Sequence, residues 1–254
     1  MGVNNYSGPA NNLLIFLHIP KTGGTTLRGI IDKQYSSNKR WHAYEFLPLE
    51  QRIKEVPKKQ LKKINYMAAH FQFGAHQYFT RPYTYVTMLR NPIKRLISEY
   101  YHRRRNPNNP LYDKLQNISL KEFVSSDEFL SNSNLQLFMI RGRAVKPFNL
   151  KHNDLEEAKK NLEKHFSVIG ITEMFDESLF LMKKEFGWED VSYTKKNVTK
   201  SHPSKEEVPK EVVKIIEERN KLDIRLYKYV KRKLKEKLKD LDPESKRELN
   251  DFIK

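Results

Sequence analysis

The stretch Leu13-Leu-Ile-Phe-Leu-His-Ile-Pro-Lys-Thr-Gly-Gly-Thr-Thr-Leu27 places a lysine, paired glycines and paired threonines directly after an apolar run. A buried strand that turns tightly into a helix at such a sequence aims free backbone N–H groups at an anion, and the helix dipole adds to the attraction. Gly23 and Gly24 let the backbone approach a ligand, Lys21 supplies a point charge, and Thr22 shares the turn. Thr25 and Thr26 offer hydroxyl donors at the helix entrance. The chemistry this suits is binding of a phosphate or a sulfate. The order differs from the G-x-x-x-x-G-K-[ST] loop, where the lysine follows the glycines; here Lys21 precedes them.

A second cationic position follows the run Tyr83 to Leu89, which closes on Arg90-Asn91-Pro92. A metal-assisted nucleotide site wants an acidic residue at a neighbouring strand end, and this strand ends in Arg90, a cation that binds an anion directly. Ser98, eight residues on, can join Arg90 on one anion. Two anion sites at two strand ends are therefore expected, with no metal ion. Of the eight histidines, His70 stands out because it ends the run Tyr66 to Phe71, where α/β sheets present ligand-binding groups. His76 is a reserve, and His18, within the strand before Pro20, reads as structural.

These residues need elements to hold them. Short β-like runs alternate with helix-like stretches: Leu13 to His18, Thr25 to Gln34, Arg40 to Tyr44, then a helical Leu49 to Lys63. That is the rhythm of a parallel sheet with crossover helices. Asn91 is suited to cap a helix and Pro92 to be its first residue, while Arg103 to Leu111 reads as a basic surface loop. Val168 to Thr172 and Met174 to Phe186 form a last βα unit, and from Val208 onward apolar residues recur at helical spacing into a Lys-rich helix ending near Asp240. The fold class expected is α/β, a central parallel sheet flanked by helices with a mainly helical C-terminal part. One domain over residues 1–254 is expected, with a basic helical segment over about 205–254.

The 254 residues carry 48 Lys and Arg against 31 Asp and Glu, a net charge of +17, which admits a polyanionic ligand, nucleic acid or an anionic surface as partner. The absence of cysteine removes disulfides, thiolate-held metals and thiol nucleophiles. The longest early apolar run, Leu13 to Leu17, is too short for a membrane span and lacks a secretory signal's flanks. A cytoplasmic protein with no membrane span is the expectation.

The run His18-Ile-Pro-Lys-Thr-Gly-Gly-Thr-Thr26 resembles the 5′-phosphosulfate loop of carbohydrate sulfotransferases, in particular the group with the heparan sulfate and uronosyl 2-O-sulfotransferases and bacterial relatives. Arg90-Asn-Pro-Ile-Lys-Arg-Leu-Ile-Ser-Glu-Tyr-Tyr101 is similar to their 3′-phosphate motif. Weaker echoes run through Gly170-Ile-Thr-Glu-Met-Phe-Asp-Glu-Ser178 and Asn220-Lys-Leu-Asp-Ile-Arg-Leu-Tyr227. The resemblance implies a kinase-like P-loop fold and transfer of a sulfuryl group from 3′-phosphoadenylyl sulfate (PAPS) to an acceptor hydroxyl, leaving adenosine 3′,5′-bisphosphate. It gives Lys21 and the Gly23 to Thr26 segment the 5′-phosphosulfate and Arg90 with Ser98 the 3′-phosphate. Lys195, Lys196 and Lys200 resemble a late basic loop that closes over the nucleotide.

Sulfuryl transfer needs an acceptor oxygen that loses its proton as it attacks, and histidine titrates where such a base works best. The resemblance gives that role to His70, in a His-Phe context, with Lys21 at the leaving oxygen; no Glu or Asp in the His70 context takes its place. The acceptor implied is a carbohydrate hydroxyl, and Tyr100, Tyr101 and Arg103 to Arg105 are candidates to line its groove. Nucleic acid is not expected as a partner. Two other readings stay open: a nucleotide-dependent kinase, which leaves the lysine order unexplained, and a non-catalytic basic protein that binds a polyanion, which leaves two anion motifs without a reason.

Overall fold

In the computed structural model, residues 12–44, 49–142, 149–194 and 207–253 are described. Lys195, Lys196 and Lys200 lie outside the described residues. The elements in chain order are β1 (Leu13–Leu17), α1 (Gly24–Gln34), β2 (Arg40–His42), α2 (Leu49–Glu55), α3 (Lys58–Leu61), β3 (Tyr66–Ala69), β4 (Tyr83–Leu89) and α4 (Pro92–Arg105). There follow α5 (Tyr112–Gln116), α6 (Leu120–Ser125), α7 (Leu135–Arg141), α8 (His152–His165), β5 (Phe166–Ile171), α9 (Phe175–Phe186), α10 (Lys210–Arg219), α11 (Lys221–Lys239) and α12 (Pro243–Ile253).

The five strands form one parallel sheet in the order β2-β3-β1-β4-β5. β1 is central and every one of its residues is buried, which is why Leu-Leu-Ile-Phe-Leu is an unbroken apolar run rather than an alternating one. Leu17 pairs with Ala69 on one side and Thr87 on the other. Since the three strands end nearly level, the segments after β1, β3 and β4 leave the sheet at the same edge. The strand order reverses beside β1, the position where open α/β sheets bind ligands.

α4 begins as expected: the Asn91 side chain accepts from the N–H groups of Ile93 at 3.0 Å and Lys94 at 3.3 Å, with Pro92 in the first turn. The helical stretch Leu49 to Lys63 is in fact two short helices. α2 stops before Pro57, which has no N–H to continue the ladder and disfavours helix in the residue before it. The expected loop Arg103 to Leu111 starts late, because Arg103 to Arg105 complete α4. Beyond the Lys-rich helix a further one, α12, is capped by Asp242, whose carboxylate accepts from Ser245 N at 2.9 Å, and starts with Pro243.

The main core lies on both faces of the sheet. A smaller apolar cluster joins Ile93, Leu96, Ile97 and Tyr100 of α4 to Leu115, Phe123, Val212 and Ile216, so α4 is clamped along its length. Among the described residues no helix is long and apolar enough to cross a membrane.

Candidate active site

The chain leaves β1 through a turn in which Lys21 has φ 67° and Gly23 φ 81°, both left-handed. A glycine bears this conformation freely, whereas Lys21 adopts it at a cost that surrounding contacts must offset. Thr26 N and Leu27 N bond back to the Gly23 carbonyl at 3.1 and 3.3 Å. The N–H groups of Gly24 and Thr25 have no partner within the helix, by its geometry. No acidic side chain stands in the first turn of α1, so its positive end is unopposed.

Each residue of the loop has a definite place. Lys21 is half-buried, and no described carboxylate lies within ion-pair distance of its ammonium. Burial lowers its pKa and the cations of Arg90 and Arg105 add to this, opposed by Glu99. Thr25 is exposed and Thr26 half-buried, and neither hydroxyl bonds to a described residue.

Two positions of the turn have surroundings that the sequence does not show. The Thr22 side chain is fully buried and its hydroxyl donates to the Ile19 carbonyl at 2.8 Å, so it braces the turn and only its backbone can face an anion. At Gly24 the missing side chain makes room for a ring: a Cβ there would lie 2.1 Å from Cδ2 and Nε2 of His18.

Arg90 follows β4, and its Nη1 donates to the Lys21 carbonyl at 3.1 Å. Its own peptide is held by one amide, with Gln136 Oε1 accepting from Arg90 N at 2.9 Å and Gln136 Nε2 donating to Arg90 O at 3.0 Å. Asp223 of α11 fixes the start of α7 by accepting from Leu137 N at 2.7 Å and Gln136 N at 3.2 Å. Burial lowers the Arg90 pKa, opposed by Glu173. Glu173 itself accepts from Asn91 N at 3.1 Å and from the Tyr227 hydroxyl at 3.1 Å. Ser98 lies on the buried side of α4, and its hydroxyl bonds to no described residue. The Thr172 hydroxyl sits between the two loops, 2.7 Å from the Thr22 carbonyl and 3.0 Å from the Leu89 carbonyl.

His70 follows β3. Its Nδ1 lies 2.6 Å from the His18 carbonyl, which can only accept, so Nδ1 carries the proton and a neutral ring keeps Nε2 bare. His18 is buried and structural as expected: its Nδ1 meets the Tyr44 hydroxyl at 2.7 Å, and its ring sits 4.5 Å from that of His70. Arg28 lies 5.1 Å above the Tyr44 ring. Burial lowers the His70 pKa, the hydrogen bond to His18 opposing. Burial also holds His18 well below the usual histidine value, with the charges of His70, Arg28 and Lys21 adding to it.

His76 is not part of this group. Its ring stacks 4.5 Å from Tyr83 and 5.1 Å from His165, with Nδ1 3.0 Å from the Tyr85 hydroxyl, near the opposite ends of β4 and β5. The chain runs back along the sheet after Gly74 to begin β4, and this carries His76 away from His70.

A cavity of about 680 Å³ opens beside His70 and Pro20, lined among others by Arg52, Gln72, Tyr78, Glu99 and Arg103. Glu99, adjacent to Ser98, was not singled out by its sequence. Burial raises its pKa, but Arg103, Arg95 and Lys21 outweigh this and hold it below the ordinary carboxylate range. Arg103 Nε donates to Glu99 Oε1 at 2.5 Å, so Arg103 belongs to the cavity rather than to a solvated loop. Tyr100 and Arg104 do not line it: the buried Tyr100 donates its hydroxyl to Ile118 O at 2.7 Å and receives Arg104 Nη1 at 2.8 Å.

The profile of the family described as "Sulfotransferase family" matches residues 9–230. Heparan-sulfate 6-O-sulfotransferase 2 of Homo sapiens is 25% identical over 277 residues, covering 87% of this chain and 44% of that protein. Heparan-sulfate 6-O-sulfotransferase 3 of Homo sapiens is 26% identical over 282 residues, covering 87% and 57%. The chain thus spans about half the length of these curated relatives. Mouse sulfotransferase SULT7A1, solved in complex with PAP, superposes with a TM-score of 0.38 at 14% identity, covering 83% of this chain and 64% of that one.

Proposed function

The chain belongs to the sulfotransferase family, and on that premise we propose that it moves a sulfuryl group from PAPS to a hydroxyl of a carbohydrate acceptor. The observation that supports the reading is the shared sheet edge: a glycine turn with Lys21, a cation at Arg90, and His70 with its free nitrogen beside a cavity whose wall includes Arg52, Glu99 and Arg103. The 5′-phosphosulfate falls to Lys21 and the Gly23 to Thr26 segment, and the 3′-phosphate to Arg90 and Ser98. The acceptor occupies the cavity.

In the transfer, the acceptor oxygen forms a bond to sulfur as the sulfur–oxygen bond to the 5′-phosphate breaks. The acceptor proton passes to His70 Nε2, and adenosine 3′,5′-bisphosphate departs. Lys21 has no competing carboxylate partner among the described residues, so its charge is available to the leaving oxygen, where stabilisation acts chiefly on the transition state. His70 suits proton removal because the His18 carbonyl fixes its tautomer, and burial keeps the ring neutral at physiological pH. Glu99, ionised in the cavity wall, is placed to accept from a hydroxyl of the acceptor and so favours a polyhydroxylated substrate. The names of the curated relatives support a glycan.

Incubation with PAPS and a panel of glycans and simple alcohols in the presence of EDTA, followed by mass spectrometry, tests the reading. The expected product is a sulfated glycan formed without added metal. Magnesium-dependent phosphorylation from ATP, with no transfer from PAPS, would replace it with the kinase reading.

A further inference from the structure

The helix α11 carries nine Lys and Arg in 19 residues, against Asp223, which is buried, and Glu236. Leu226, Tyr227, Val230 and Leu234 point into the protein, against neighbours that include β5, α7 and α8. On the outer side Lys228, Lys231, Lys235 and Lys239 follow one another at intervals of three or four residues, with Arg232 alongside. At about 1.5 Å per residue they make a row roughly 16 Å long with a cation at nearly every turn. None of these four lysines has a carboxylate within ion-pair distance among the described residues; Glu236 is shared by Arg232 and Lys233, at 3.8 Å from each.

Like charges at such spacing weaken a helix by about 0.2–0.5 kcal/mol per pair. The row therefore opposes the fold that displays it. We propose that this face of α11 is a docking strip for an acidic glycan chain, separate from the cavity beside His70. The choice of a glycan rests on the function proposed above; the need for a polyanion rests on the row itself.

Two other polyanionic partners lack their usual means of attachment here. Single-stranded nucleic acid stacks its bases on aromatic platforms, but Tyr227 is buried and Tyr229 lies beneath Lys159 and Arg232, at 5.1 and 5.9 Å from its ring. Membrane-surface helices add an apolar anchor, and the exposed large apolar side chain among the described residues is Ile253, on α12. The strip also begins next to the donor site: Lys228 follows Tyr227, whose hydroxyl reaches Glu173 beside Asn91 and Arg90. A polymer held on the strip would raise the local concentration of its other segments at the sheet edge.

The test compares a strip variant, Lys228→Gln, Lys231→Gln, Lys235→Gln and Lys239→Gln combined, with a control of equal charge, Lys58→Gln, Lys59→Gln, Lys62→Gln and Lys63→Gln. Binding to heparin, to oligo(dT) and to phosphatidylserine vesicles is measured without donor. The strip variant is expected to lose about tenfold or more in heparin affinity at roughly 0.1 M salt and to elute earlier from immobilised heparin, with the control within about threefold of wild type. Equal losses in both would reduce the strip to net charge and overturn the proposal. A larger loss for oligo(dT) or for vesicles would overturn the glycan assignment.

A melting temperature at or above that of wild type and unchanged affinity for adenosine 3′,5′-bisphosphate show that the strip variant is folded; should the quadruple variant melt early, the pair Lys235→Gln and Lys239→Gln is read against Lys58→Gln and Lys59→Gln. Failure to transfer sulfuryl from PAPS would strike the proposed activity while leaving heparin binding as measured. Wild-type heparin affinity in the strip variant would strike this inference alone.

Discussion

Arg90 donates from Nη1 to the carbonyl of Lys21, so the cation at the end of β4 supports the left-handed backbone of the lysine that follows β1. Arg90→Ala removes the proposed 3′-phosphate ligand and this support together. Calorimetry with adenosine 3′,5′-bisphosphate should show binding weaker by about 2–4 kcal/mol, the range for a charged partner of a desolvated anion. Arg90→Lys, which keeps charge but not the planar fork, should fall between alanine and wild type.

Lys21→Ala keeps the strained backbone and removes only the ammonium. If that charge faces the leaving oxygen, kcat should drop by about 10²–10³-fold, and donor affinity should fall as well. Loss of donor affinity with kcat preserved would confine Lys21 to ground-state binding.

His70→Ala should lower kcat by about 10²–10⁴-fold, as for a general base, with donor affinity scarcely altered. The base acts when deprotonated, and burial lowers the pKa of His70. The wild-type kcat/KM for donor should therefore decline on the acid side with a midpoint below the ordinary histidine value of about 6.5. A midpoint above that value, or an acid limb that survives in His70→Ala, would move the base elsewhere.

Gly24→Ala isolates the role of the His18 ring. Alanine in place of glycine would favour a helix by about 1 kcal/mol from propensity alone, yet the new Cβ would meet the His18 ring at 2.1 Å. The clash should win, with thermal unfolding showing a loss of about 1–3 kcal/mol, the usual cost of overpacking. Displacement of His18 should also disturb His70, so kcat should fall beyond what stability explains.

Acid stability follows from the second histidine group. His165 is held at about 4 by burial first, then by the nearby charges of His76 and Lys164. A folded-state value below the unfolded one means that stability is fully present above the unfolded pKa and is lost as pH falls toward the folded one. The melting temperature should drop between about pH 6.5 and pH 4, and His165→Gln should flatten that slope. An identical slope in the variant would assign the acid sensitivity to other groups.

The turn after β1, the cap of α4 by Asn91 and the parallel sheet were legible because each depends on a few neighbouring residues: apolar runs, paired glycines, an Asn-Pro pair. The division of labour inside the turn was not. Thr22 and Gly24 look alike as ligand contacts in one dimension, and only the hydrogen bond from Thr22 to the Ile19 carbonyl and the His18 ring seated against Gly24 show how each position is used in the turn. The echoes around Gly170 to Ser178 and Asn220 to Tyr227 carried no assignable role, because Glu173 and Asp223 act on segments more than eighty residues away. Glu99 does carry a local signal: it directly follows Ser98 and is the one acidic residue of α4. The separation of His76 from His70 has no sequence signal, since a return of the chain along the sheet leaves no mark in spacing.

A single hydroxyl, that of Thr172, touches the carbonyl ends of both the turn after β1 and strand β4. The two loops that carry the proposed anion positions are thereby joined at one point, as the jaws of a caliper are joined by its beam. Under the proposed function, a nucleotide would be recognised by how far apart its phosphoryl groups stand, and one with the same charge carried on a single chain of phosphates would fit one jaw and leave the other open.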